Sequence, residues 1–246
     1  MHNMQQVLMF GAISGFSLLL GALTGIYFKF SKKIIASFMA FGSGVLVCAL
    51  TFGLMENAFS HGGFDAVIIG FLLGGTTFIL GDYLIHSYGG RYKQKHYKNA
   101  KEKTNGAAIA FGAILDGIPE SIALGIALFS NQGIGFLMLA AIVLSNFPEG
   151  ISSIQGLVKE GFSKTKIILL WLMVSLICFG VVVISFYFLH DLNPNNIGIL
   201  EAFAAGAILA MLADSMMPEA FEEGGYSIGL MTMLGFLTSF IFSRFK

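Results

Sequence analysis

Charge is scarce in this sequence. Only 11% of its 246 residues are charged, whereas 56% are hydrophobic and the mean hydropathy is +0.80. Soluble domains use about 25% charged residues, so a soluble fold is excluded. The alternating polarity of a transmembrane barrel is absent as well. Neither sign of charge is in excess: 14 Lys+Arg balance 14 Asp+Glu, which points away from nucleic acid as a partner and from general adsorption to acidic lipid. Cysteine is limited to Cys48 and Cys178, both inside apolar runs and without CxxC spacing. A disulfide framework and a thiolate metal site are therefore not expected, and both cysteines read as small buried apolar residues. Residues 1–7 contain no Lys or Arg and no small-residue cleavage pattern follows them, so the first apolar run is read as a membrane span and not a signal peptide.

What the sequence does contain is long apolar runs. Breaks at Gly, Pro, Asn and charge clusters give eight segments, roughly 5–27, 34–58, 64–86, 106–129, 133–157, 165–189, 197–221 and 225–243. Each is long enough to cross a ~30 Å hydrocarbon core. The expectation is an all-α integral membrane protein, a single domain over 1–246. Glycine, at 31 residues, recurs within the runs, as it does where helices approach closely in lipid. Twelve of the 14 Lys and Arg fall in three odd-numbered loops, around Lys29–Lys33, Arg91–Lys103 and Lys159–Lys166. Cytoplasmic loops accumulate positive charge, which places the long loop 87–104 in the cytoplasm and both termini outside a plasma or inner membrane. His96 in that loop reads as part of a solvated linker.

Residues 38–63 align without a gap to 200–225, with nine identities including Phe41/Phe203, Gly44/Gly206, Met55/Met217, Phe59/Phe221 and the closing Gly-Gly pairs. The two segments belong to the second and seventh spans, which run in opposite directions, so the repeat is inverted, as in many secondary transporters. A shorter echo relates Asp116–Ile122 to Ser145–Ile151 in the fourth and fifth spans. The implied plan is three helices, a central pair and three inverted helices.

The spans carry carboxylates without cations. Glu56, Asp65, Asp82, Asp116, Glu120, Glu149, Glu201, Asp214 and Glu219 fall in or at the edges of the segments, and no Lys or Arg lies deep within any. An ionised group at the bilayer centre costs at least ~2.5–3.5 kcal/mol, and a bound cation is the economical partner for a set of one sign. Asp116 sits about ten residues into its span, roughly 15 Å deep, and Glu149 is also near mid-span. Asp116 and Glu120 share one helix face; Ser145, Asn146 and Glu149 share another. Pro119 and Pro148 free the carbonyls of Leu115 and Leu144 nearby. Together these groups read as an oxygen-rich cation site; protonated carboxyls bridging two helices are the structural alternative.

At these motifs, DGIPES (116–121), SNFPEG (145–150) and ADSMMPEA (213–220), the chain resembles the ZIP (Zrt-/Irt-like) family of divalent metal transporters. That family carries His-Asn-x-Pro-Glu-Gly in its fourth span and a related motif in its fifth. The resemblance implies a non-enzymatic transporter, with no cofactor, that moves Zn2+, Mn2+ or Fe2+ as substrate between the fourth and fifth helices, by uptake into the cytoplasm. It implies Asp116, Glu120, Ser145, Asn146 and Glu149 as metal ligands. The family histidine is Asp116 here, its asparagine is Gly117, and the fifth-span His or Gln is Ser145. With no acid in 165–189, one central metal is expected in place of two. Glu56, His61, His190 and Glu201 would line an entrance, and Asp82, His86, Glu219, Glu222 and Glu223 an exit, although interfacial solvation explains any one of them. Gly117, having no side chain, leaves room beside Asp116. A homodimer is left open.

Two other functions compete. An intramembrane aspartyl protease could pair Asp82 with Asp116 or Asp214, since such chemistry needs two acids sharing a proton. The sequence has LGD at 80–82 in place of GxGD, and HExxH is absent. A ZIP-like metal sensor without transport is the other.

Overall fold

The computed structural model describes residues 4–87, 106–130 and 133–244. Apart from its first residue, the basic loop expected at 87–104, with His96, lies outside them. The described residues form helices and no strand: α1 (Met4–Tyr27), α2 (Lys32–Ala49), α3 (Glu56–Ser87), α4 (Gly106–Phe129), α5 (Ile134–Lys159), α6 (Lys164–Phe188), α7 (Pro194–Met211), α8 (Met217–Gly224) and α9 (Ser227–Arg244). Polar residues in the short connections start several of them. Ser31, Ser163 and Asn193 cap α2, α6 and α7 by accepting from the backbone N–H three residues on, and Pro194 opens α7, where its missing N–H costs nothing.

Among the described residues, seven helical runs are long and apolar enough to cross a membrane, where the sequence led us to expect eight. The expected second and third spans fall in one run, Lys32–Ile85, because no loop ends the helix between them. At 1.5 Å per residue a straight run of 54 residues would be about 80 Å long, far beyond a ~30 Å core. Gly63 breaks it, with φ 65° and ψ −162°.

The two repeated segments share their backbone irregularities. A π-helical turn begins at Leu50 and another at Leu212, which are aligned leucines. Gly225, the partner of Gly63, has φ 69° and ψ −149°, the same glycine-only conformation. Close helix approaches are exchanged too: Gly74 of α3 abuts the Phe203 carbonyl of α7, and Gly235 of α9 abuts the Phe41 carbonyl of α2. Phe41 and Phe203 are themselves aligned. At neither glycine would a Cβ fit without displacing backbone.

The helices sort into two groups. α1, α4, α5 and α6 pack on one another; α2, α3, α7, α8 and α9 make the second group; and the two meet where α2 crosses α5 and α7 crosses α4. Large apolar side chains such as Leu72, Leu73, Leu230 and Met233 face outward from α3 and α9, while Ser43, Ser145, Asn146, Asp116, Glu120 and Glu201 are buried. This is the reverse of a soluble protein and fits a lipid surround.

Candidate metal centre

α4 and α5 each carry an internal proline followed by a glutamate, Pro119-Glu120 and Pro148-Glu149. Their polar faces meet. The Ser145 hydroxyl stands 3.0 Å from Glu120 Oε1 and 3.0 Å from the Ile142 carbonyl, so its single proton serves one or the other. Asn146, Glu149 and Asp116 all lie close enough to act on the charge of the Glu120 carboxyl. Asp116, Glu120, Ser145 and Asn146 are buried and Glu149 is partly so. Glu120 Oε2 is buried with no hydrogen-bond partner among the described residues. An orphaned acceptor of this kind in a low-dielectric interior is costly, and a cation would satisfy it. All five residues expected at the central site are thus on the facing surfaces of α4 and α5. Among the described residues no three His, Cys, Asp or Glu side chains are gathered tightly enough to hold an ion by themselves, so an ion here would draw on Ser145 and Asn146 as well.

Two details depart from expectation. The room beside Gly117 is filled: a Cβ there would lie 2.6 Å from Cys178 Sγ of α6. The Cys178 thiol lies beside Ser121 and feels the charges of Glu120 and Glu149. It is buried, as expected, but a sulfur atom borders a centre that the sequence described as oxygen only. The Leu144 carbonyl freed by Pro148 is covered, because Gly42 of α2 lies against it and a Cβ at 42 would be 2.7 Å from that oxygen.

The flanking residues divide. His61 and Glu201, both expected at the entrance, are joined, with Nδ1 2.8 Å from Oε2. Glu56 is exposed, and His190 packs its ring on Phe129 and Phe186 with Nδ1 3.2 Å from the Phe186 carbonyl. On the exit set, the Ser152 hydroxyl donates to Glu219 at 2.5 Å and Lys32 pairs with Glu223 at 2.5 Å; Asp82 is partly buried and Glu222 exposed. The His86 side chain lies outside the described residues. Sequence reasoning missed Cys178, Ser121, Ser130, Asn57 and Ser152, none of which has a local spacing signal. Of the two acids that a protease could pair with Asp82, Asp116 is buried and Asp214 exposed.

Comparison with known proteins bears on the same spans. A candidate zinc transporter of Arabidopsis thaliana is 25% identical over 187 residues, which is 75% of this chain and 30% of the plant protein. The chain therefore spans less than a third of that relative's length. The profile described as ZIP zinc transporter matches residues 93–245, well over half the sequence and including both Pro-Glu helices. With that match and its apolar helices, the chain is a multi-pass membrane protein and belongs to the ZIP zinc transporter family.

Proposed function

We propose that this protein carries a divalent transition-metal cation, Zn2+, Mn2+ or Fe2+, through the α4–α5 carboxylate cluster and into the cytoplasm. One observation carries the reading: Glu120 is buried within reach of the charges of Asp116 and Glu149, with one oxygen held by Ser145 and the other unpartnered. A site of three acids without a basic side chain in the spans stabilises a dication and little else. Family membership and the plant relative's name agree with metal as the cargo.

The architecture we propose is the inverted plan of three, two and three helices, with the Gly63 and Gly225 corners dividing the second span from the third and the seventh from the eighth. The aligned π turns and the exchanged glycine contacts support it. The two groups of helices would then move against each other to expose the α4–α5 cluster alternately to either side. The Lys and Arg bias supports termini outside a plasma or inner membrane.

Flux of metal into sealed proteoliposomes tests the function. Wild-type protein should accumulate metal, and E120Q and E149Q, correctly inserted, should not. Wild-type rates in both variants would overturn the site, and no flux in the wild type would leave the sensor reading in its place. Oxygen donors suit Mn2+ and Fe2+ better than imidazole does, although Zn2+ outranks both in intrinsic affinity. Asp116→His should shift paired-metal competition toward zinc. Since Cys178 fills the space beside Gly117, we expect the largest shift when Cys178 is also replaced by alanine.

A further inference from the structure

A second polar cluster lies at the end of the molecule where α4 finishes, the helix run turns at Gly63 and α7 begins. Its centre is Glu201, 0% exposed, in the third turn of α7. Three other elements supply partners. His61, before the Gly63 corner, brings Nδ1 within 2.8 Å of Oε2; Ser130, at the end of α4, brings its hydroxyl within 3.3 Å of Oε1; and the buried Asn57 amide lies near enough to act on the same carboxyl. The His61 side chain is 30% exposed, so the imidazole connects the surface to a buried acid.

The arrangement is built by the backbone. Gly198, one helical turn before Glu201, lets α7 come so close that a Cβ there would lie 2.8 Å from the Ala58 carbonyl and 3.3 Å from His61 Cβ. The repeat does not produce it automatically. In the aligned copy Met39 stands at the place of Glu201, and Glu223 stands at the place of His61 and pairs with Lys32. An imidazole beside a buried carboxylate exists at one end of the molecule only, among the described residues.

We infer that His61, Glu201, Asn57 and Ser130 form a separate docking site for the transported dication, a mixed nitrogen and oxygen station apart from the all-oxygen donors of the centre. Two ligands on one tetrahedral Zn2+, each about 2.0–2.1 Å from it, stand about 3.3 Å apart. The spacings of 2.8 Å and 3.3 Å around Glu201 need little adjustment to accept such an ion. Imidazole with carboxylate, amide and hydroxyl oxygen is a donor set for Zn2+ and neighbouring transition metals, and a poor one for Mg2+ or Ca2+. Ser130 is on the helix that carries Glu120, ten residues on, or about 15 Å along α4. An ion held at Glu201 is thus half a membrane thickness from the central cluster and beside the helix leading to it. The role as a docking site rests on the proposed transport; the binding itself does not.

The test is protection of His61 from diethyl pyrocarbonate in the full-length protein in detergent, read by mass spectrometry of the peptide containing it. With free Zn2+ at about ten times its dissociation constant, the rate at His61 should fall about tenfold, because only the metal-free fraction reacts. The rate at His190 should not change, and Mg2+ should protect neither residue. E201Q should abolish the protection. The E120Q/E149Q double variant should keep it, which separates this site from the central one. Equal His61 rates with and without Zn2+ in the wild type would overturn the inference, as would loss of protection in the double variant. Protection without flux into proteoliposomes would instead count against the transport reading and leave the binding site standing. The wild-type comparison requires no substitution, so a variant that fails to fold does not decide the outcome.

Discussion

The two repeated segments, 38–63 and 200–225, agree in backbone and differ in chemistry. Both run from an α-helix through a π turn into a second helical stretch that stops at a glycine with φ near +65° to +69°. Both pass a phenylalanine carbonyl to a glycine of a neighbouring helix. Yet Asn57 stands where the other copy has Glu219, and His61 where it has Glu223. Packing constrains what is repeated, since a helix crossing without room for a Cβ tolerates one residue type. At the corners a Cβ meets nothing within 4 Å, so side chains there are free to diverge, and the two ends of the molecule differ in chemistry while their frames are alike.

Substitutions can separate frame from chemistry. The largest effect should come from chemistry at the centre: E120Q should reduce metal uptake by more than the ~10–100-fold typical of losing even an outer partner of a metal ligand. E219Q, at the end cluster with Ser152, should lower uptake far less, as measured in the same vesicles. Next should come the frame. Gly74→Val and Gly235→Val each drive a side chain into an aligned carbonyl, and each should cost about 3 kcal/mol, the upper range for overpacking. Denaturation of the purified protein in detergent checks this, and a large difference between the two would break the equivalence of the copies.

Smaller and purely conformational effects should follow from Gly63→Ala and Gly225→Ala. A Cβ at either position meets nothing within 4 Å, so the cost is that of the backbone angles alone, about 1–3 kcal/mol, and should match between the corners. Lys32→Met should matter least. Its pair with Glu223 is half exposed, with relative side-chain exposures of 49% and 32%, and such surface pairs contribute under about 1 kcal/mol. Thermal denaturation should barely move, and uptake should stay at the wild-type rate.

Much of this was readable in the sequence because it rests on local signals. Apolar runs mark the helices, and the Pro-Glu steps mark Glu120 and Glu149 at facing positions. The number of separate helical runs was less legible, since Gly62-Gly63 reads as a loop whereas the chain resumes its helix after a single broken residue. Cys178 escaped notice because its approach to Gly117 depends on how α6 packs against α4, and a thiol in an apolar run looks like any small buried residue. His61 and Glu201 could be named but not paired, being separated by 140 positions. Ser130 and Asn57 gave no signal at all, as a serine or asparagine near a helix end is ordinarily a cap.

The π turn at Leu50–Met55 lies between the helix that packs on α5 and α9 and the stretch that presents Asn57 and His61. A widened turn holds one residue more than an α-helical turn, and each residue of an α-helix advances the side chains by about 100°. The turn therefore sets a phase: everything between it and Gly63 faces about a quarter-circle away from where an unbroken helix would aim it. Deleting one residue from Leu50–Met55 would restore the regular winding and leave the composition nearly untouched. It would also swing His61 away from Glu201, so the length of this segment carries as much instruction as the identity of its residues.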